Sequence, residues 1–575
     1  MGTGTRSMRR EHRVFALFLL VVFCNVLRSD AGSSSRDLLA ESFIPQTKNV
    51  QQKRSGQAYA TLLYGDEFLL GVRVLGKSIR NTGVAKDMVA LVSDGVSETG
   101  IRLLKADGWI VQRIKLLANP NSKRPTRFWG VYTKLKIFNM TEYSKVVYLD
   151  ADTIVTRSIE DLFECQGFCA NLKHSERLNS GVMVVEPSSS LFEDMISKVQ
   201  TTYSYTGGDQ GFLNSYYVGF ADAELFNPQL PPEIRKARPK KMERLTTLYN
   251  ADVGLFALAN KWMVDASELR VIHYTLGPLK PWDWYAEWLL EPVKMWQDIR
   301  ITLEEVLPGT GQGRDPHISL ITWTLFLVPL IVLCYIKRTL LLQIQKDLFA
   351  LVCSGSVFCT YANQLWYKYK PGVTLPTYFT SGAAVSNGCK HQGCPKGASG
   401  DAGLSCRVPK HLGMMAIVAC FFALFASLGL AAFLVPRQVM PWTGLLLTYE
   451  WTFFTFLLLF GKFLDYIYSL GRNTAIKSLS IAEEISFYSA EKLHSKNSTY
   501  WDAETSTYGI VAALTALLIP TLPWIFGTTA IFARAGLMVS GGFVLAVVGT
   551  YSAEQLAVHW FLRGHDDCSH MERSS

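Results

Sequence analysis

Charged residues are scarce in this sequence, because Asp, Glu, Lys and Arg together make up only 18% of its 575 residues. The 57 Lys and Arg outnumber the 48 Asp and Glu, but they form no dense basic block, so the sequence does not indicate a nucleic-acid-binding arm. Eleven cysteines in a chain of this length do not make a disulfide scaffold. The net charge of +9 suits anionic ligands and lipid head groups equally well.

Hydrophobic residues are abundant instead, at 49%, and they are unevenly distributed. From about Ser55 to Arg314 the sequence is of mixed polarity, and after His317 it consists mostly of apolar runs. Length alone predicts more than one domain. We therefore predict a water-facing globular domain over 55–300 and an all-α membrane domain over 318–560.

The N-terminal residues are typical of an export signal. Arginines between positions 9 and 13 precede the apolar run Val14–Cys24, and small residues that permit cleavage follow it. This run has about 11 residues, whereas a membrane span needs roughly 20. We predict a cleaved signal peptide over 1–31 and a linker over 32–54, with an uncleaved signal anchor as the alternative. Either one delivers the globular domain to the lumen of the secretory pathway.

Six later segments are apolar and long enough to cross a bilayer, and they are 318–336, 348–366, 412–435, 443–461, 508–526 and 535–556. If the globular domain is lumenal, six crossings return the tail 561–575 to the lumen, together with the loops 367–411 and 462–507. The short cytosolic connections then contain Lys337, Arg338, Lys346, Arg437 and Arg534, as the positive-inside rule requires.

Lumenal placement is consistent with the glycosylation sequons at Asn139 and Asn497, and Cys165 and Cys169 could take part in lumenal disulfides. Within the fourth predicted span, Glu450 is either a functional or pairing group or an acid packed into a polar interior. The insert 371–410 carries further cysteines that could form lumenal disulfides, namely Cys389, Cys394 and Cys406.

Within the globular domain, apolar β-branched runs alternate with amphipathic stretches. The pattern predicts strands at Ala58–Leu63, Met88–Val92 and Val146–Leu149, and a helix at Gly71–Arg80. This alternation is typical of an α/β domain with a largely parallel sheet, whose ligands bind beyond the carboxyl ends of the strands.

Two carboxylates follow one of these strands directly. Asp150 and Asp152 flank Ala151, and this spacing points both side chains the same way in an extended segment. Paired carboxylates suit Mn²⁺ or Mg²⁺ carrying a diphosphate. An Asp-x-Asp triplet alone is a weak signal, because surface turns contain it by chance.

Ordered motifs around this triplet give it weight. They lie at 61–66, 74–78, 132–135, 147–153, 179–182, 207–211 and 271–282, and together they resemble glycosyltransferase family 8, which includes glycogenin and its plant glycogenin-like relatives. The resemblance implies a GT-A fold, that is, a Rossmann-like α/β domain that binds a nucleotide sugar. It further implies a UDP-sugar donor, Mn²⁺ and retention of anomeric configuration.

The resemblance also assigns the metal and donor sites. It implies that Asp150, Asp152 and His273 hold the metal ion. The uracil and ribose would contact Leu62, Tyr64 and Phe68. The phosphates would contact Lys134, Gly277 and Lys280. The residues implied beside the metal and the transferred sugar are Ala151, Asn179, Ser180, Gly181, Asp209 and Gln210. Three of these assignments have an ordinary structural alternative. Leu62, Tyr64 and Phe68 could be a strip of core residues, His273 could be a core or surface histidine, and Lys134 could be a lysine on a helix surface.

Asp209 and Lys134 are the implied catalytic residues. Lys134 would stabilise developing negative charge. Asp209 would either stabilise an oxocarbenium-like transition state or attack as a nucleophile, and an internal-return route would need no protein nucleophile. The sequence leaves these routes open. No tyrosine can be identified as a self-glucosylated acceptor, and the closing motif at 273–280 is longer than that of glycogenin, so a glycogen-priming role is not favoured.

The apolar tail and the segment 272–284 resemble one plant branch of the family, the inositol phosphorylceramide glucuronosyltransferases. The implied reaction transfers glucuronic acid from UDP-glucuronate to the inositol head group of a membrane sphingolipid, with a lumenal catalytic domain in the Golgi membrane. Confinement to the bilayer would help to orient such an acceptor. The tryptophans before the first span form either an interfacial belt or part of the core, and they are Trp282, Trp284, Trp288 and Trp296.

Two alternatives remain. One is glucuronosyl or glucosyl transfer to a polysaccharide such as xylan, as in other glycogenin-like plant proteins, which carry a single anchor. The other is a membrane lipid-binding or transport protein with a degenerate transferase domain, which an altered metal triad or a missing Lys134 would indicate. Oligomeric state is left open.

Overall fold

The computed structural model describes residues 56–119, 130–173, 176–237, 242–306, 316–336, 408–483 and 499–572. The predicted signal peptide, linker and second span, the sequon at Asn497 and nearly all of the insert 371–410 lie outside these residues.

The chain forms two compact units. The first, called the α/β unit here, contains the chain up to Thr324 and two later segments, Val435–Leu447 and Ile519–Gly541. The second, called the helical unit, contains Leu325–Leu434, Thr448–Leu518 and the residues from Gly542 onward.

The strands of the α/β unit are, in chain order, β1 (Gln57–Leu63), β2 (Asp87–Val92), β3 (Ile110–Arg113), β4 (Lys145–Leu149), β5 (Thr153–Val155), β6 (Cys169–Leu172), β7 (Leu178–Val185), β8 (Glu224–Leu225), β9 (Glu243–Leu245), β10 (Ala251–Asp252) and β11 (Val271–His273). Eight of them form the main sheet in the order β3-β2-β1-β4-β7-β6-β9-β8. Within this described sheet only β7 runs antiparallel to its neighbours. The predicted α/β class and largely parallel sheet are confirmed.

Helices cover this sheet, and they are α1 (Leu69–Asn81), α2 (Glu98–Ala106), α3 (Ser189–Lys198), α4 (Asp209–Tyr216), α5 (Pro232–Ala237), α6 (Val253–Ala259), α7 (Ala286–Leu289) and α8 (Val293–Val306). The predicted helix over 71–80 lies within α1. The three predicted strands are β1, β2 and β4, and each begins one residue earlier than predicted.

The central strands are buried on both faces. Along β1, Tyr59 and Leu63 pack into one apolar core, whereas Ala58, Ala60 and Leu62 pack into the core on the other face. Side chains alternate between faces along a strand, so a strand that is buried on both faces fits the middle of a covered parallel sheet. This burial fixes the carboxyl end of β4, where Asp150 follows.

A second, three-stranded sheet has the order β10-β11-β5. β11 pairs antiparallel with β5, and His273 lies opposite Thr153. This pairing brings the closing motif of the domain back to the turn that follows β4.

A disulfide joins Cys165 to Cys169, and both residues are buried. It lies between the turn Glu160–Glu164 and β6, on the side of the sheet that carries β9. Lumenal chemistry of this kind agrees with the predicted export of the domain.

The remaining described helices are α9 (Pro316–Ile336), α10 (Leu412–Leu434), α11 (Pro441–Glu483), α12 (Thr499–Leu518), α13 (Leu522–Ile525) and α14 (Ile531–Glu572). Among the described residues, three segments are long and apolar enough to cross a membrane, namely Leu412–Leu434, Pro441–Lys477 and Ile531–Asp567. The six-span count therefore stays a prediction.

Two predicted loops differ from the structure. α11 continues to Glu483, so the first half of the predicted loop 462–507 is helical, and α14 continues to Glu572 through most of the predicted tail 561–575. Polar residues spread along these apolar helices make their ends hard to locate from the sequence. In α11 both carboxylate oxygens of Glu450 are buried and have no hydrogen-bond partner among the described residues, which leaves both interpretations of this acid open.

The four tryptophans before the first span differ in burial, and two arginines belong to the α/β unit. Trp282 and Trp296 are buried in the core, whereas Trp284 and Trp288 are half-buried. Arg437 and Arg534, which were predicted to lie across the membrane from the globular domain, belong to the α/β unit and hydrogen-bond with it. The cytosolic placement of both arginines stays a prediction.

The buried ion pair between α1 and the end of α2 gives a stability prediction. Arg73 Nε donates to Asp107 Oδ2 at 2.8 Å, and the Asp107 side chain is fully buried. We expect Arg73→Met to lower the free energy of unfolding by about 3–5 kcal/mol, because it leaves a buried carboxylate without its partner. Denaturant unfolding of the detergent-purified chain measures the change.

Arg113→Met is the matched control for this variant. The Arg113–Glu98 pair is more than half exposed on both sides, so its loss should lower the free energy of unfolding far less than loss of the buried pair does. Equal losses of stability in the two variants would contradict the importance of the buried pair.

Candidate active site

The turn between β4 and β5 carries the two aspartates. The Asp150 N–H donates to Gly181 O at 2.9 Å, and Thr153 donates to Asp150 O through both its N–H and its hydroxyl, at 3.1 and 2.7 Å. Tyr148 OH donates to Asp150 Oδ1 at 2.7 Å. These bonds fix the turn beyond the carboxyl end of β4, where an α/β sheet binds its ligands.

His273 reaches this turn from the other sheet. Its Nε2 lies 3.3 Å from Asp152 Oδ1 and 4.0 Å from Asp150 Oδ2. One ligand atom from each of the three side chains lies within 4.8 Å of the other two, so the group could hold a metal ion. Two hard carboxylates and one imidazole form a donor set that suits a divalent cation such as Mn²⁺.

Asn250 orients the imidazole. Its Oδ1 lies 3.0 Å from His273 Nδ1, and its Nδ2 donates to Asn179 Oδ1 at 2.8 Å. Because the amide nitrogen is used by Asn179, the amide oxygen accepts from Nδ1–H, and Nε2 is the ring nitrogen that faces the aspartates. A partner of this kind is typical of metal-binding histidines.

Gly181 lets the histidine pack against β7. A Cβ at this position would lie 2.1 Å from His273 Cε1, which is closer than two carbon atoms can approach. A similar constraint holds at Gly71, where a Cβ would lie 2.6 Å from Ala151 O and so would push α1 away from the aspartate turn. Both glycines therefore allow the close packing on which the site depends.

Lys134 links the aspartate turn to α4. Its ammonium lies 3.0 Å from Asp150 Oδ1 and 3.1 Å from Asp209 Oδ2, and it is also within 3.3 Å of Ser180 O. Burial opposes its charged form, but the two carboxylates outweigh burial and raise the pKa of Lys134. The lysine is therefore a fixed cation between two carboxylates.

Lys280 is the second cation at the turn. It lies 2.6 Å from Asp152 Oδ2 and donates to Tyr274 O at 3.2 Å. Burial disfavours the ionised form of Asp152, but His273 and Lys280 together outweigh it and lower the pKa of this carboxyl. At Asp150, burial dominates over Lys134 and raises the pKa.

A polar network extends from the metal group to α4. Asn179 Nδ2 donates to Gln210 Oε1 at 3.0 Å, and Gln210 Nε2 donates to Tyr205 OH at 3.2 Å. Ser180 Oγ donates to Asp209 Oδ2 at 2.8 Å. The network places a carboxylate and an amide next to Lys134.

The predicted nucleoside contacts differ in exposure. Tyr64 and Phe68 are half-buried, and Phe68 packs edge-on against Trp282 with ring centroids 5.8 Å apart. The Leu62 side chain is buried in the core, so only its backbone could meet a ligand. Gly277 is exposed in the segment between His273 and Lys280.

The sequence interpretation missed several groups in this site. Tyr148 and Asn250 each contact a member of the metal group, and Lys173 forms an ion pair with Asp252 next to it. Burial lowers the pKa of Lys173 more than Asp252 raises it. Only Tyr148 lies within a recognised motif, because Asn250 and Asp252 meet their partners through long-range folding.

Comparisons with known proteins agree with this geometry. A family model described as glycosyl transferase family 8 matches residues 61–167. The inositol phosphorylceramide glucuronosyltransferase 1 of Arabidopsis thaliana is 54% identical over 94% of this chain and 97% of that protein. The UDP-glucuronate:xylan alpha-glucuronosyltransferase 2 of the same plant is 36% identical over 40% of this chain and 36% of that protein.

Among solved structures, the galactosyltransferase LgtC in complex with donor and acceptor sugar analogues is similar, with a TM-score of 0.30 at 18% identity. The match covers 44% of this chain and 98% of that one.

The close packing at Gly181 gives a prediction for metal binding. We expect Gly181→Ala to weaken Mn²⁺ binding about 10- to 100-fold, because the added methyl group displaces His273 and its bond to Asn250. Calorimetric titration of the purified chain measures the dissociation constant. Gly56→Ala is the control, because Gly56 is exposed and a Cβ there meets only Ser144 Oγ at 3.4 Å. Unchanged affinity in Gly181→Ala would remove His273 from the site.

Proposed function

This chain belongs to glycosyltransferase family 8, and from that premise we propose that it transfers glucuronic acid from UDP-glucuronate to the inositol head group of inositol phosphorylceramide. The observation that carries the proposal is the 54% identity to a protein of that name over 94% of this chain, which includes both units. An enzyme whose acceptor stays in the bilayer has a physical reason to carry membrane-spanning helices.

Asp150, Asp152 and His273 would hold the metal, and Mn²⁺ fits their mixture of oxygen and nitrogen donors. When bound, the ion would supply positive charge to the diphosphate of the leaving UDP. Lys280 extends this positive charge on the protein side, since its ammonium lies at Asp152 and can also reach an anionic phosphate. We propose that Gly277, exposed in the same segment, offers its backbone N–H there.

Asp209 and Lys134 would act on the transferred sugar. The Asp209 carboxylate is held by Ser180 and Lys134 and lies at the first residue of α4. We propose that it stabilises positive charge at the anomeric carbon, while Lys134 balances the negative charge that develops on the leaving phosphate. Asn179 and Gln210 would bind sugar hydroxyls. Retention follows from the family, and trapping of a glycosyl-Asp209 adduct would distinguish double displacement from internal return.

The nucleoside would lie on the other side of the metal group. Tyr64 and Phe68 are half-buried beside the aspartate turn and offer aromatic faces to uracil, and the backbone of Leu62 offers polar groups. Lumenal Golgi residence, a cleaved signal peptide and glycosylation at Asn139 belong to the same proposal. The exposed position of Asn139 and the disulfide between Cys165 and Cys169 support them.

Transfer to xylan is the second candidate, but it is less well supported. The xylan glucuronosyltransferase that resembles this chain matches only 40% of it, whereas the sphingolipid enzyme matches both units. A degenerate domain serving lipid binding or transport is not favoured, because the metal group and Lys134 are in place with their partners.

An assay with the purified full-length chain tests the reaction. With radiolabelled UDP-glucuronate, inositol phosphorylceramide and Mn²⁺, we expect a labelled lipid, no label on xylan oligosaccharides and loss of activity on chelation. Asp152→Asn should reduce turnover by about 100-fold or more, because it removes a metal ligand without changing its shape. The exposed Asp222→Asn is the control. Label on xylan but not on lipid would sink the proposal.

The role of Lys134 can be separated from that of a surface lysine. We expect Lys134→Met to lower kcat by about 100- to 1000-fold, since it removes a fixed cation that acts on the transition state. Steady-state kinetics with varied UDP-glucuronate measures kcat and KM. Lys136 lies in the same 3-10 helix, Val131–Asn139, but is half-exposed, so Lys136→Met should change neither kcat nor KM by more than about twofold. Equal effects in the two variants would show that Lys134 has no special role.

A further inference from the structure

Two connections between apolar helices belong to the α/β unit. The first connection, 435–440, joins α10 to α11, and the second connection, 519–530, joins α12 to α14. Both fall within segments that cluster with the catalytic sheet rather than with the helical unit. The sequence offered no sign of this, because both connections are short and mostly apolar.

Hydrogen bonds hold the first connection to the α/β domain. The Trp284 N–H donates to Arg437 O at 2.9 Å, and Gln438 Nε2 donates to Glu67 O at 2.9 Å. The buried Arg300 donates through Nη2 to Gln438 O at 2.6 Å. Residues from three separate parts of the domain thus contact the first connection.

The second connection is held in the same way. The Arg534 guanidinium donates to Trp288 O at 3.2 Å and also to Thr528 O at 2.7 Å. Asn260 Nδ2 donates to Thr529 Oγ1 at 3.0 Å, and Ile531 packs against the apolar core around Trp296.

We infer that both connections lie on the same membrane face as the catalytic sheet. A spanning helix carries its two ends to opposite faces, so the helices that end or begin at these connections, α10, α11, α12 and α14, all have one end on the catalytic face. α9 leaves the α/β unit and also starts there. α14 is long and apolar enough to cross the bilayer, and it begins at the second connection, so its far end at Glu572 lies on the opposite face.

This arrangement also fixes the ends of the connection 337–411. Ile336 ends α9 and Leu412 begins α10, so both lie on the face opposite the catalytic sheet.

The distribution of basic residues supports this assignment independently. The two docked connections contain one Lys or Arg, Arg437. On the opposite face, the stretches 337–356 and 392–411 next to α9 and α10 contain six, and they are Lys337, Arg338, Lys346, Lys396, Arg407 and Lys410. Cytosolic connections are enriched in Lys and Arg, so the opposite face is the cytosolic one and the catalytic face is lumenal.

Exposed apolar side chains mark the level of the bilayer on the catalytic face. Trp442, Phe526 and Phe532 flank the connections and are 64–70% exposed. Leu258 and Met263 are likewise exposed, on the two sides of Asn260, which contacts the second connection. Aromatic and apolar residues of this kind favour the membrane interface. The partner that fits this surface is the lumenal lipid interface itself.

A protection experiment on the full-length chain tests the inference without relying on activity. One epitope tag is inserted after the exposed Gly83, where a Cβ meets nothing within 4 Å, and another is appended after Ser575. Sealed vesicles are treated with protease with and without detergent. We expect the Gly83 tag to be protected and the C-terminal tag to be digested, and both to be digested in detergent. Protection of both tags, as six crossings require, would overturn the inference.

The sequon at Asn139 gives a second readout on the same vesicles. We expect Asn139→Gln to abolish a glycan-dependent mobility shift, because Asn139 is exposed on the catalytic domain and that domain is lumenal. Digestion of the Gly83 tag in sealed vesicles, with no mobility shift to lose in Asn139→Gln, would contradict the lumenal assignment. Neither readout depends on the acceptor, so failure of the proposed function would leave this test intact.

Discussion

The site depends on the pairing of β11 with β5, which brings His273 to the turn that carries Asp150 and Asp152. Two strands more than a hundred residues apart are held together here by three residue pairs. The absence of a side chain at Gly181 lets the imidazole lie against β7, and Asn250 sets its orientation. Without this contact the aspartates would be a surface turn with no third ligand.

Charge balance explains why such a site requires a cation. Asp150, Asp152 and Asp209 place three carboxylates in one buried region, and the ammonium groups beside them are those of Lys134 and Lys280. Burial already raises the pKa of Asp150. The three carboxylates exceed the two ammonium groups by one negative charge. A divalent ion would reverse this sign and leave net positive charge for a diphosphate. The buried carboxylates, which are unfavourable without a cation, would then form the donor site when the metal and the nucleotide sugar bind.

Part of this could be predicted from the sequence. Apolar runs fixed β1, β2 and β4 to within one residue, because these strands are buried on both faces and leave little choice of register. The aspartate turn followed from the position of β4. Asn250 and the Lys173–Asp252 pair could not be found, because no local pattern links residues whose contact arises only from folding. The membership of Arg437 and Arg534 in the α/β unit could not be found for a related reason, since a count of charges along the sequence does not show which segments pack together.

The first connection contacts the α/β unit close to the candidate site. The Trp284 N–H donates to Arg437 O, and Trp284 lies four residues after Lys280, which pairs with Asp152. The segment that carries Lys280 therefore continues directly into the segment that contacts the first connection, and both belong to the α/β unit.

The central claim is that Asp150, Asp152 and His273 bind the metal that carries the UDP-sugar. Pulsed electron paramagnetic resonance of the chain loaded with Mn²⁺ and UDP tests it most directly. We expect nitrogen modulation from one imidazole and coupling to phosphorus, with the nitrogen signal lost in His273→Gln. A nitrogen signal that persists in His273→Gln, or phosphorus coupling without any nitrogen signal, would contradict the assignment of His273 to the metal.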